Sequence, residues 1–136
     1  MSNSPDSHEN AAELTPEARD IFDEQVEAAL AELPPAIVQL FETAPLIVED
    51  YPDPSSTPPM IILDPLGHRI VSIYDSGIKR ILIYRSEILQ AAMAAGEADA
   101  ARALRRQIQE AIYREVGRYH GLSDYHLHRF LKENGF

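Results

Sequence analysis

Tyr113-Arg114-Glu115-Val116-Gly117-Arg118-Tyr119-His120-Gly121-Leu122-Ser123-Asp124 is the stretch on which the reading of this chain turns. Arg114 and Arg118 are four residues apart, so they project from one face of a helix. Glu115 lies three residues before Arg118, within ion-pair reach. Gly121 is well placed as the C-terminal stop of that helix. Ser123 can cap another one. The stretch therefore predicts a helix carrying a charged constellation, a glycine turn and a second helix.

Working outward, the helix extends back to about Glu97. Ala101, Leu104, Ile108, Ala111, Ile112, Glu115, Val116 and Tyr119 share a broad stripe at three- and four-residue steps. Before it, Ser86 can cap a helix running to about Ala95, with Gly96 as its end. Two β-type segments, Arg69 to Tyr74 and Lys79 to Tyr84, flank the turn signal Asp75-Ser76-Gly77 and predict an antiparallel hairpin. At the other end of the chain, Thr15-Pro16 combines a capping hydroxyl with proline at the first helical position. Phe22, Val26, Ala29, Leu30 and Leu33 then repeat at helical spacing, so residues 16–33 form an amphipathic helix that Pro34-Pro35 stops. A short helical turn is expected over 36–43 and a strand at Leu46-Ile47-Val48, before Glu49-Asp50. Tyr51 to Pro59 holds four prolines and reads as an irregular loop. Met60 to Leu63 has the character of a short strand. Leu127, Phe130 and Leu131 give the last helix its apolar face. Residues 1–14 read as a disordered tail with little to bury. The expected fold is α+β: one domain over 15–136, with a small mixed sheet and hairpin packed on the long helix, and further helices at both ends. No internal repeat or second domain is visible.

The chain has 136 residues, enough for one domain with a modest core. It carries 12 Lys/Arg against 22 Asp/Glu, a net charge of −10, unevenly spread. Residues 1–68 hold 14 acids and Arg19 as their one base, giving −13, whereas residues 69–136 hold 8 acids and 11 bases, giving +3. The acidic half argues against nucleic acid as a partner. Arg102, Arg105 and Arg106 fall together on the long helix and are expected to form a solvated face paired with the acidic half. No apolar run approaches the ~20 residues of a membrane helix, so no membrane partner is expected. Met1 to Glu13 has no charged-then-apolar leader pattern, which makes the cytoplasm the default compartment. Cysteine is absent, which removes disulfides, thiolate metal sites and thiol nucleophiles.

The central stretch has the frame of a zinc-peptidase helix, H-E-x-x-H-x-x-G-x-x-D, with arginine at both histidine positions. Together with the opening helix at Phe22 to Pro34, the strand Leu46 to Asp50 and the strand Arg80 to Arg85, it resembles the zincin-like minimal metallopeptidases of small bacterial proteins. The resemblance covers roughly residues 16–133. It implies that Glu115 stands where the general base would be, that Asp124 stands at the third zinc ligand, and that Arg114 and Arg118 occupy the two histidine positions. Arginine has no acceptor lone pair and stays cationic, so it cannot ligate Zn²⁺. One carboxylate falls short of the three protein ligands of a catalytic zinc. The expectation is a non-catalytic relative, a pseudopeptidase with a vestigial base, no cofactor and a binding role. Arg114 and Arg118 are expected to face Glu115 and Asp124, replacing the charge of the metal. An edge strand at Arg80, Ile81, Leu82, Ile83 and Tyr84 is expected to take an extended peptide or protein segment.

The alternative is an active zinc metallopeptidase with a relocated ligand set. His120, Asp124 and His128 are its candidates, because Asp124 and His128 are spaced i, i+4; His126 lies close by. A third reading is a structural or regulatory protein. Tyr113 and Tyr119 read as half-buried packing rather than as oxyanion donors. His68 reads as an exposed turn residue, and Asp53 and Asp64 as isolated loop carboxylates. No phosphate loop, G-x-S-x-G or Cys/His pair is present. Oligomeric state has no signature in the chain.

Overall fold

The computed structural model describes residues 14–52 and 70–136. The expected tail up to Glu13, most of the proline-rich loop, the strand at Met60 to Leu63, His68, Arg69, Asp53 and Asp64 lie outside the described residues. Within them the chain is a mixed α+β structure of five helices and three strands: α1 Pro16–Ala31, α2 Pro35–Leu40, β1 Leu46–Glu49, β2 Ser72–Asp75, β3 Arg80–Tyr84, α3 Arg85–Ala94, α4 Ala100–Tyr119 and α5 Asp124–Glu133. No helix among the described residues is long and apolar enough to cross a membrane.

The helix ends follow local chemistry. Thr15 accepts a hydrogen bond from the Ala18 N–H, and Pro16 opens α1. Asp99 caps α4 by accepting from the Arg102 N–H, so α4 starts three residues later than the apolar spacing suggests. At its far end Gly121 takes φ +77°. The Leu122 N–H then donates to the Gly117 carbonyl and the Gly121 N–H to the Arg118 carbonyl, which closes a Schellman motif. Ser123 caps α5, as expected. Ser86 is not the cap of α3: that helix starts at Arg85 with Tyr84 before it. Ser86 is fully buried and its hydroxyl turns to Glu87.

The sheet order is β1-β3-β2, with β1 parallel and β2 antiparallel to β3. The hairpin forms where expected, although its positive φ of 54° falls on Lys79 rather than on Gly77. Asp75 instead holds the turn by accepting from the Gly77 N–H at 3.0 Å. Pairing puts Leu46 with Ile81, Val48 with Ile83, Tyr74 with Ile81 and Ser72 with Ile83. Paired residues share a sheet face, so these six side chains point the same way. The apolar ones join Phe22, Val26 and Ala29 of α1, Ile88 of α3, and Leu104, Ile108, Ala111, Ile112 and Val116 of α4 in one core. Ala101 lies outside it, exposed; Ala103 and Leu104 are the buried residues of that turn.

α4 is the spine, packed on α1, α3, α5, β2 and β3. α5 approaches it over Gly117, where an added Cβ would lie 2.5 Å from a Leu127 methyl. A second tie joins the N-terminal half to α3. Arg85 donates to Asp23 at 2.9 Å and to Asp50 at 2.9 Å, and Asp50 also accepts from Arg19 at 2.9 Å.

Candidate functional site

The 3.6-residue period of α4 places Glu115 on the same stripe as Ile108, Ala111 and Ile112, so a carboxylate enters the core. Glu115 is 0% exposed. Ser72 faces it from β2, itself buried, and its hydroxyl donates to Glu115 Oε2 at 2.6 Å. The Arg118 guanidinium donates to the same oxygen through Nη1 at 2.7 Å. Arg118 keeps its side chain 42% exposed while it makes this contact. The second oxygen, Oε1, is buried with no hydrogen-bond partner among the described residues. A buried carboxylate is tolerated only when donors compensate for lost water, and here both donors sit on one oxygen.

The expected four-charge cluster is only half assembled. Arg118 faces Glu115, as the spacing implied. Arg114 does not: its Nη2 donates to Glu110 at 2.8 Å, one turn back along α4. Adjacent residues on a helix point about 100° apart, so Arg114 cannot share the buried face of Glu115 while reaching i−4. Asp124 is exposed in the first turn of α5, where the N-terminal end of the helix favours a negative charge. It does not return to the arginines.

His120 caps α4 in an exposed position, with its ring edge-on to Tyr119 at 5.2 Å. His126 pairs through Nδ1 with Ser123 Oγ at 2.9 Å, and His128 is exposed. Among the described residues no group of three or more His, Asp and Glu side chains is placed to hold a metal ion, so His120, Asp124 and His128 do not converge. Tyr119 packs edge-on against Tyr74 at 5.5 Å, and Tyr113 lies between Phe130 and Phe136. Both are packing residues, as expected.

The strand Arg80–Tyr84 cannot be an edge strand. β3 is central and paired on both sides, so its backbone groups are already committed to β1 and β2. Among the described residues the outer strand beside α4 is β2.

The arginines at the start of α4 line an open groove of about 560 Å³ with Glu32, Glu97 and Gln109. Arg105 reaches Glu32 at 3.5 Å, the expected pairing with the acidic half. Arg106 instead donates to the Gly135 carbonyl and lies over the Phe136 ring.

Ser72 is the site residue that sequence reasoning missed. Its only signal is a hydroxyl at an inward position of a β-type run. The Arg19–Asp50–Arg85–Asp23 network was also unseen. Burial alone raises the Asp50 carboxyl, but the hydrogen bonds and charges of Arg19 and Arg85 outweigh it and hold that pKa below the ordinary value. No protein-family model matches this chain, and no curated protein matches it.

Proposed function

We propose that this protein is a non-catalytic, zincin-like binding protein, a pseudopeptidase that takes an extended peptide or protein segment. The observation that carries the reading is the Arg118–Glu115 contact at 2.7 Å. In the R-E-x-x-R frame, a guanidinium engages the carboxylate that in the resembled peptidases would activate water. The frame residues do not fit a zinc ion: Arg114 and Arg118 offer no lone pair, and Asp124 stands apart on α5. Glu115 is engaged and buried, which suits a structural charge better than a proton shuttle.

The binding surface in this reading is the side of β2 turned away from β3, which is outermost among the described residues. The Tyr84 N–H donates to the Val71 carbonyl, so residues 71 and 84 form a hydrogen-bonded pair. Antiparallel pairs alternate, which turns the main-chain groups of Ser72 and Tyr74 away from β3. A partner strand can add there through main-chain hydrogen bonds. The test is elemental analysis and peptide-library cleavage with tag-free protein. The expected result is no stoichiometric zinc and no cleavage. Tight zinc binding, with cleavage that Glu115→Gln abolishes, overturns the proposal.

A further inference from the structure

We draw no further inference here: the strongest candidate, the open groove lined by Glu32, Arg102, Arg105 and Arg106 at the start of α4, carries nothing, because Arg105 is paired with Glu32, Arg106 is bonded to the Gly135 carbonyl, and nothing in the structure shows what would occupy it.

Discussion

Removal of Arg118 probes the buried carboxylate directly. In Arg118→Ala, Oε2 of the buried Glu115 keeps Ser72 alone, while Oε1 still lacks a partner among the described residues. Hydrogen bonds to charged groups contribute about 1.5–3 kcal/mol. Breaking a fully buried pair would cost about 3–5 kcal/mol, but Arg118 is 42% exposed and water can take part of its place. An estimate of about 2 kcal/mol follows, or a fall in Tm of roughly 6–10 °C for a domain of this size. The second arm is Glu115→Gln, which removes the charge that Arg118 neutralises. In that background Arg118→Ala should cost less than about 0.5 kcal/mol, an ordinary surface change. Urea denaturation of the four proteins closes the cycle, with a coupling of about 1.5 kcal/mol expected. If Arg118→Ala costs the same in both backgrounds, Glu115 and Arg118 do not act as a pair and the charge-replacement argument fails.

Gly121→Ala meets no side chain, so its cost is the backbone strain at φ +77°, about 1–2 kcal/mol, read as a lower urea midpoint with an unchanged slope. Asp50 gives a pH dependence. Its folded pKa is lowered, so its contribution is present above the unfolded value near 3.9 and is lost as pH falls through the folded value. The stability gap between wild type and Asp50→Asn should accordingly be constant near neutrality and shrink below about pH 4, as measured by denaturation at stepped pH. A gap that stays constant through that range would show that the Arg19 and Arg85 contacts do not lower the pKa of Asp50.

Much of the architecture was legible because it is local. Thr15-Pro16, Pro34-Pro35, Gly121 and Ser123 act through their own backbone geometry, and the structure places them where that geometry requires. The α4 stripe was legible for the same reason, down to the inclusion of Glu115 among apolar neighbours. Local chemistry also misled in places. Ser86 is a good capping residue, yet it is buried, and α3 begins one residue earlier. Gly77 is the residue most tolerant of a positive φ, yet Lys79, the last residue of the connection from Asp75 to Arg80, carries it.

The site divides along the same line. An ion pair between Glu115 and Arg118 follows from a three-residue spacing on one helix, and sequence alone determined it. The donor from Ser72, 43 positions away, depends on which strand lies over α4, and only the packed sheet decided that. Strand order was equally invisible. Arg80–Tyr84 is apolar enough for a central strand or a covered edge, and only pairing on both sides made it central, leaving β1 and β2 as the outer strands among the described residues. Arg114 went to Glu110 and not to Asp124 because a helix holds near neighbours in fixed directions, whereas the approach of α5 is set by contacts such as Leu127 over Gly117. Spacing along one element is a property of the chain; what stands opposite it is set by packing between elements that are distant in sequence.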